Sequence, residues 1–265
     1  MKTPVYFISH GGGPWPWMTE ARPAYAKLIE SLQDIPRQLD SSPSAIVMVS
    51  AHWEEDSVFA VMSNARPPML YDYYGFPEHT YRIEYPAPGS PELARRIIGL
   101  LARAGLPARA DAQRGFDHGS FVPLALMYPQ ADIPIVQVSI QAGYEPHVHF
   151  ELGRALAPLR EENVLVVCSG LSYHNLREIR SIGAAPSAQF DAWLQEALVD
   201  GPADQRLDRL ANWELAPSAR RAHPREDHLV PLMVAAGAAE GEPAACIYHD
   251  DSTFAGITTS SFRFG

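Results

Sequence analysis

The stretch VYFISHGGGP (residues 5–14) joins a short apolar run to a histidine and three consecutive glycines. Val5 to Ser9 is rich in β-branched and aromatic residues, which is typical of a buried strand, and His10 follows directly at its end. A phosphate-binding loop is excluded, because no Gly-Lys-Ser/Thr closes the stretch and a dinucleotide fingerprint would need glycine where Pro16 stands. The function of this segment therefore depends on its histidine.

The composition limits the class of protein. The chain has 265 residues, 46% of them hydrophobic, a length that fits one large α/β domain or two small ones. The net charge of -10 and the lack of a long Lys/Arg run argue against a nucleic-acid partner. No apolar stretch reaches the roughly 18 residues of a membrane span, and the start MKTPVYFIS lacks a signal-peptide core. We therefore expect a cytoplasmic protein with no membrane partner.

Cys168 and Cys246 are the only cysteines, and they form no C-x-x-C pair, so a disulfide framework and a thiolate zinc site are not expected.

Short apolar runs alternate with amphipathic helical stretches along the chain. The predicted strands are Val5 to Ser9, Ala45 to Ser50, Val58 to Met62, Ile133 to Ile140, Val164 to Cys168 and Ala245 to His249. The predicted helices are 20–33, a segment that begins at Ser90-Pro91-Glu92 and ends at Gly105, 119–127, 146–160, 187–199 and 226–239. This alternation predicts an α/β fold, a single domain over residues 1–265 with a mostly parallel central sheet flanked by helices.

The connection 63–89, SNARPPMLYDYYGFPEHTYRIEYPAPG, is long and rich in Tyr, Phe and Pro. Connections of this length usually form a functional wall or a lid, which would bring Tyr74 and His79 to a substrate. The alternative is a surface hairpin whose aromatic side chains pack on the domain, and the aromatic residues alone do not decide between the two.

Several histidines fall at one edge of the predicted sheet. His10, His52 and His174 each follow a predicted strand, and His118 and His228 lie near the starts of predicted helices, which face the same edge. Open α/β sheets bind ligands there, outside the carboxyl ends of the strands. One such histidine is more often structural than a ligand. Five buried histidines at one edge would need hydrogen-bond partners for all their ring nitrogens, and each nitrogen left without a partner costs about 1–3 kcal/mol of stability. A divalent metal ion removes this cost, because the ring nitrogens bind it directly. The sequence therefore predicts a metal site at this edge.

The remaining histidines have other expected roles. His147 and His149, at alternate positions early in a helix, are expected to be surface or capping residues. His223 is a candidate to orient His228, and His249 is a candidate to support a ligand from behind. Imidazole donors without thiolates suit zinc or non-heme iron, and the absence of H-E-x-x-H excludes the common zinc-protease pattern. The residues alone do not distinguish a zinc hydrolase from an Fe(II) oxygenase.

Six blocks follow one another along the chain: SHGGGP, SAHWE, YDYYGFPEHTYRIEYPAPGSPELA, GFDHGSFVPL, SGLSYHNL and HPREDHLVPL. Together they resemble the class III (LigB-type) extradiol ring-cleavage dioxygenases, and in particular their small single-chain 4,5-DOPA dioxygenase-like branch. The resemblance implies metal ligands at His10, His52 and His228. It implies a catalytic role for His174, which can also approach the metal as a fourth ligand, and a place in the substrate pocket for His118.

The chain departs from the family pattern in two places. Three glycines stand in the first block, where a serine is common among relatives. Better-known ring-cleaving members use a glutamate as third ligand, so Glu226 and Asp227 remain alternatives to His228.

The implied function is cleavage of a catechol-type, DOPA-like ring with O2. It would depend on Fe(II), and Zn(II) could be bound in its place. The alternatives are a zinc-dependent hydrolase on the same histidines and a non-catalytic metal-binding homologue. Further pocket candidates are Trp15, Tyr74, His79 and His223, with core packing an equal alternative for Trp15. Candidates for a substrate-carboxylate clamp are Arg82, Arg114 and Arg177. The sequence leaves monomer and homodimer open.

Overall fold

The computed structural model describes residues 2–179, 181–252 and 256–265. The strands are β1 (Val5–Ser9), β2 (Ala45–Glu55), β3 (Phe59–Met62), β4 (Ala108–Asp111), β5 (Ile135–Gln141), β6 (Val164–Gly170), β7 (Ala244–Asp250) and β8 (Thr259–Phe264). The α-helices are α1 (Ala26–Asp34), α2 (Pro91–Arg103), α3 (His118–Met127), α4 (Pro146–Leu156), α5 (Ala184–Gln195), α6 (Arg206–Ala211), α7 (Ala219–Ala222) and α8 (Val230–Ala238).

All eight strands form one sheet in the order β4-β3-β5-β2-β6-β1-β8-β7. The four central strands, β5, β2, β6 and β1, are mutually parallel. The antiparallel pairs are at the two sides of the sheet, where β3 meets β5 and where β8 meets β1 and β7. The predicted α/β fold with a mostly parallel central sheet is confirmed.

Helices cover both faces of the sheet, and successive side chains of each central strand pack into the hydrophobic cores on opposite faces. Val5 and Phe7 of β1 pack with α2, α4, α5 and α8, whereas Tyr6 and Ile8 pack with α1 and α3. The central strands are therefore apolar on both faces, which explains why they read as continuous hydrophobic runs in the sequence.

The register aligns three neighbouring strands at the edge where β1 and β6 end. Ser9 of β1 lies opposite Gly170 of β6, and Ser50 of β2 lies opposite Ser169. His10 directly follows β1, whereas β2 continues past its predicted end at Ser50 to Glu55, with an irregular register against β5, so that His52 lies within β2. This alignment brings His10, His52 and His174 to one edge, as the sequence predicts.

Several element boundaries differ from the prediction. The Ser90 hydroxyl caps α2 as expected and accepts a hydrogen bond from the Leu93 amide at 3.1 Å. The predicted helix 20–33 begins instead with a 3₁₀ turn, because Pro23 lies in that turn, and α1 starts at Ala26. The predicted helix 226–239 starts only at Val230. Among the described residues, no helix combines the length and apolarity that a membrane crossing requires.

Candidate metal centre

Three imidazoles from distant parts of the chain approach one another, each through its Nε2 atom. His52 Nε2 lies 3.2 Å from His10 Nε2 and 3.3 Å from His228 Nε2. Two nitrogen ligands of one tetrahedral zinc ion, each at ~2.1 Å from the metal, are about 3.4 Å apart, and octahedral neighbours are slightly closer. The spacing of these three nitrogens therefore fits a single divalent metal ion.

Hydrogen bonds behind His10 fix which ring nitrogen carries its proton. His10 Nδ1 lies 3.0 Å from Ser169 Oγ, and the Ser169 hydroxyl donates its one proton to the Gly119 carbonyl. The Ser169 oxygen must therefore accept a hydrogen bond from His10 Nδ1–H. This tautomer leaves a lone pair on His10 Nε2, the atom that faces the other two rings, as a metal ligand requires.

Carboxylates lie behind the other rings. Asp72 Oδ2 is 3.4 Å from His52 Nδ1, and Asp72 Oδ1 accepts a hydrogen bond from His118 Nδ1 at 2.8 Å. Asp227 Oδ2 is 3.1 Å from His228 Nδ1, although the angle is too poor for a good hydrogen bond. His174 Nδ1 lies 3.7 Å from Asp227 Oδ1. An ionised carboxylate only accepts hydrogen bonds, so each of these contacts favours a proton on Nδ1.

The electrostatics of the site favour uncharged imidazoles. Burial, followed by the neighbouring histidines, lowers the pKa of His10 and of His228 well below 6.5. Burial, assisted by His118, lowers the pKa of His52 to about 4. Burial alone would raise the pKa of Asp72, but the hydrogen bond from His118 and the charges of His118 and His52 outweigh it and lower it to about 2. The rings are thus neutral and the carboxylate ionised at neutral pH, the protonation states that metal binding needs.

Two glycines permit the close approach of backbone at this edge. The His228 carbonyl accepts a hydrogen bond from Leu171 N at 3.0 Å, and a Cβ on Gly170 would lie 2.1 Å from the same carbonyl oxygen. Gly11 has a φ of +74°, and its Cβ would lie 2.3 Å from Trp15 Nε1, which donates to the His10 carbonyl. Glycine at both positions therefore lets the loops that carry His10 and His228 pack tightly against the strand ends.

The imidazoles open into a cavity of about 650 Å³. Five histidines line it, together with the 11–13 glycine loop. Its other described walls are mostly apolar or aromatic and include Trp15, Tyr25, Tyr73, Tyr74, Phe76, Leu171, Tyr173, Leu176, Ile179 and Ile257. A cavity of this size with flat aromatic walls can hold a small planar ligand against the metal-binding edge.

Comparison with known proteins identifies the family. The profile described as the catalytic LigB subunit of aromatic ring-opening dioxygenase matches residues 4–265. This chain belongs to the LigB family. The predicted class, an extradiol ring-cleavage dioxygenase, is confirmed with it.

Relatives of this LigB-family protein cover nearly its whole length. It is 41% identical to a 4,5-DOPA dioxygenase extradiol of Beta vulgaris, over 98% of this chain and 96% of the relative. It is 35% identical to the protein of that name from Escherichia coli K12, over 100% and 95%. It is 37% identical to the dioxygenase tasH of Hapsidospora irregularis, over 99% and 85%. A crystal structure of an uncharacterized Escherichia coli K12 protein superposes along the full length of both chains with a TM-score of 0.79 and 33% identity.

The pocket candidates of the LigB-family protein fall in different places. Trp15 and Tyr74 line the cavity, Trp15 as a buried side chain stacked on Tyr25 and Tyr74 as an exposed one at its rim. His79 lies at the surface with its Nε2 beside the Trp17 carbonyl, outside the described lining. His223 is buried behind the site, where its Nε2 contacts the Ser172 carbonyl at 3.0 Å.

The remaining histidine predictions divide. His147 is exposed, as expected, but the expectation of a surface position for His149 is wrong, because its ring is fully buried. His149 Nδ1 bonds the Glu145 carbonyl and its Nε2 accepts from the Gln141 amide, so it joins the start of α4 to the end of β5. His249 lies beside Ser260 and Asp191 and does not reach the cluster.

The arginines proposed as a clamp lie outside the described cavity lining. Arg82 pairs with Glu78 at the surface, and Arg177 is exposed. Arg114 is the one of the three that lies near the site, where its guanidinium binds Asp117 at 2.6 Å and the His52 carbonyl at 3.0 Å. It therefore supports the part of β2 that carries His52.

Sequence reasoning missed two carboxylates, Asp72 and Asp117. Asp117 is fully buried, caps α3 and accepts hydrogen bonds from Ser50, Gln137 and Arg114. A helix-capping aspartate directly before His118 is a signal that could have indicated its role. Asp72 gives no such signal, because it lies among tyrosines in a long irregular loop.

Proposed function

We propose that this dioxygenase opens the ring of a catechol-type, DOPA-like substrate with O2 at an Fe(II) ion. His10, His52 and His228 hold the ion, and the whole chain acts as one catalytic domain. The convergence of their three Nε2 atoms, with those of His10 and His228 lying 3.2 and 3.3 Å from that of His52, carries the proposal. The family membership and the full-length similarity to 4,5-DOPA dioxygenase extradiol proteins support it.

The surroundings of the third ligand favour His228 over its two acidic neighbours. Glu226 forms an ion pair with Arg220 at 2.6 Å. Asp227 places its oxygens beside the Nδ1 atoms of His228 and His174, behind the rings that would meet the metal. Neither carboxylate is close to the Nε2 atoms of His10 and His52 in the way that His228 is.

The donor set fits either of two ions. When bound, Fe(II) supplies redox chemistry between ring and O2 and lowers the pKa of a chelated catechol hydroxyl. Zn(II) suits the same three imidazoles and binds such sites more tightly than Fe(II), but it has no redox chemistry. A zinc-filled preparation is therefore expected to be inactive without contradicting an iron enzyme.

In this proposal His174 accepts a proton from the substrate. Its side chain is 19% exposed, lines the cavity and stacks on His228 with ring centroids 3.4 Å apart. With its Nδ1 turned towards Asp227, His174 presents Nε2 as the basic atom, and an imidazole is a suitable base near neutral pH.

In this proposal His118 forms a hydrogen bond to the substrate. Asp72 holds its Nδ1 at 2.8 Å, and the ring packs 4.0 Å from that of His52. Tyr73 of the long 63–89 connection packs edge to face against His118, and Phe76 packs edge to face against Tyr73; the two form an aromatic wall of the cavity. This wall orients a planar ring and excludes water from it.

The proposal is tested by loading the apo protein with Fe(II) under anaerobic conditions and then adding O2 with a panel of catechols that includes DOPA. We expect consumption of one O2 per catechol and a yellow ring-opened product, with none formed anaerobically or with Zn(II) alone. A hydrolase would act without O2, and a non-catalytic homologue would bind metal without forming product. Either result would overturn the proposal.

A further inference from the structure

Two carboxylates have matching positions behind four of the five imidazoles that line the proposed metal site. Asp72 lies between His52 and His118, with its two oxygens 3.4 and 2.8 Å from their Nδ1 atoms. Asp227 lies between His228 and His174, with its two oxygens 3.1 and 3.7 Å from theirs. In each pair one ring is a proposed metal ligand and the other faces the substrate. The two aspartates come from unrelated loops, so the arrangement repeats without a shared sequence motif.

We infer that Asp72 and Asp227 are paired positioning residues: each carboxylate orients one metal-binding imidazole and one substrate-facing imidazole through their Nδ1 protons. This inference rests on the proposed function, because it takes the metal and substrate sides of the site from that proposal.

The chemistry of a carboxylate explains why one residue can serve two rings. Its two oxygens both accept hydrogen bonds, so two Nδ1–H groups can be held at once and both Nε2 lone pairs then face the cavity. An asparagine offers one acceptor and one donor group. It can hold only one of the two rings in this tautomer, and the other must lose its bond or move its proton. Asp-to-Asn changes therefore remove the double role and keep the size of the side chain.

Asp72 is held in place by contacts beyond the two rings. Its Oδ1 also accepts the His118 backbone amide at 3.0 Å, so the start of α3 fixes the carboxylate and the carboxylate fixes the ring. Only 17% of its side chain is exposed. The long 63–89 connection thus contributes Asp72 to the site as well as an aromatic wall of the cavity.

Asp227 is held on its outer side by Arg225, whose guanidinium lies 3.9 Å from Oδ2 and also pairs with Glu54 and Tyr144. Its Oδ1 has no hydrogen-bond partner among the described residues, and His174 Nδ1 is the ring atom that faces it. Closing the 3.7 Å gap to a hydrogen bond needs a ring movement of about 1 Å. Hydrogen bonds to catalytic bases often tighten in this way when substrate binds.

The first test reads the tautomers directly. Long-range ¹H–¹⁵N spectra of the imidazoles are recorded on the zinc-loaded protein, and His118→Gln and His174→Gln assign the signals. We expect the Nδ1–H form for His118 and His174 in the unaltered protein. Asp227→Asn is expected to shift His174 towards the Nε2–H form. In Asp72→Asn the amide oxygen is expected to stay with the two His118 donors, so that His118 keeps the Nδ1–H form and the contact behind His52 is the one that is lost. A purely structural role for Asp227 would lower stability without the change of tautomer at His174.

The second test uses the same variants, with Asp40→Asn as the matched control. Asp40 is exposed and has no ion pair with any described residue. We expect Asp72→Asn and Asp227→Asn to lower metal affinity by about 10–100-fold, the usual cost of removing the group behind a ligand. At saturating Fe(II), kcat should fall at least tenfold in Asp227→Asn while KM changes less than threefold. Asp40→Asn should leave all three quantities unchanged.

Two results would overturn the inference. One is the Nε2–H form for His118 or His174 in the unaltered protein, a reading that stays decisive even if the variants do not fold. The other is metal affinity within twofold of the unaltered protein in both variants. The tautomer spectra need no turnover. If catechol cleavage fails while the Nδ1–H forms are found and respond as expected, the proposed function is refuted and the positioning roles stand.

Discussion

Replacing Gly119 with alanine should disturb the metal centre through a single methyl group. Gly119 is the second residue of α3 and lies against the part of β2 that contains Ser50 and His52. A Cβ there would lie 2.6 Å from Ser50 Oγ and 2.8 Å from His52 Cδ2. Ordinary contacts begin at 3.4 Å, so the His52 ring must move by about 0.6 Å and the Ser50 hydroxyl by slightly more.

The magnitude follows from that displacement. His52 Nε2 is the central atom of the cluster, 3.2 and 3.3 Å from its two neighbours, so a shift of its ring changes both spacings. Functional groups need to be held within about 0.5 Å of their working geometry, and we expect metal affinity to fall about 10–100-fold. Overpacking costs about 1–3 kcal/mol, and the better helix propensity of alanine returns under 1 kcal/mol. The free energy of unfolding should thus fall by about 1–2 kcal/mol.

Gly99→Ala is the matched control, because it lies within α2 and its Cβ would have only an Arg103 nitrogen at 4.0 Å as a near neighbour. Competitive metal titration and urea unfolding of both variants check the prediction. Gly99→Ala should bind metal normally and gain about 0.5–1 kcal/mol of stability. Metal affinity of Gly119→Ala within twofold of the unaltered protein would refute the reasoning that His52 has no room to move.

Three further predictions concern stability and the second close backbone approach. Burial lowers the pKa of His149 to about 4 in the folded protein. Its neutral ring therefore contributes fully to the free energy of unfolding above pH 6.5, and this contribution is lost as the pH falls towards 4, because the unfolded chain binds the proton first. His149→Gln should therefore flatten the pH dependence of urea unfolding by about 2 kcal/mol at pH 5, and equal curves would contradict the assignment. Metal at a hundredfold excess over its Kd should add about 2.7 kcal/mol and raise Tm by roughly 5–10 °C in scanning calorimetry. An identical Tm with a chelator would contradict a metal bound to the folded state. Gly170→Ala, whose Cβ would lie 2.1 Å from the His228 carbonyl, should lower both stability and metal content in the same assays. Unchanged metal content would show that this contact does not position His228.

Much of the fold could be predicted from the sequence because its central strands are buried on both faces. The β1 and β6 segments are continuous apolar runs, and the predicted bounds match the structure within two residues. Two strands were missed for the opposite reason. β4 is a four-residue edge strand, ARAD, with no fully buried side chain, and β8, TSSFRF, begins with polar residues. The buried serines of β8 are satisfied by tertiary contacts such as the Ser260–Asp191 hydrogen bond, which periodicity does not reveal.

The site was predictable as far as strand ends determine it. His10 and His52 meet because β1 and β2 both flank β6. The shared edge follows from parallel strands, but this strand order does not follow from the sequence pattern, because successive strands usually neighbour each other and here β6 lies between β1 and β2. The groups behind the rings were not predictable in this way. Asp72 reaches His52 through the path of a long loop, and no pattern in YDYY indicates its direction. His149 was misplaced for a related reason, since a ring at the start of a helix can cap inward or outward, and only packing decides.

In the proposed site, three imidazoles hold one divalent metal ion. The decisive measurement is metal stoichiometry, by elemental analysis of Fe(II)-reconstituted protein and of five single His→Ala variants. We predict one metal per chain in the unaltered protein, in His118→Ala and in His174→Ala. We predict loss of metal in His10→Ala, His52→Ala and His228→Ala. Full metal content in any of these last three, or metal lost only when Glu226 or Asp227 is replaced, would contradict the account.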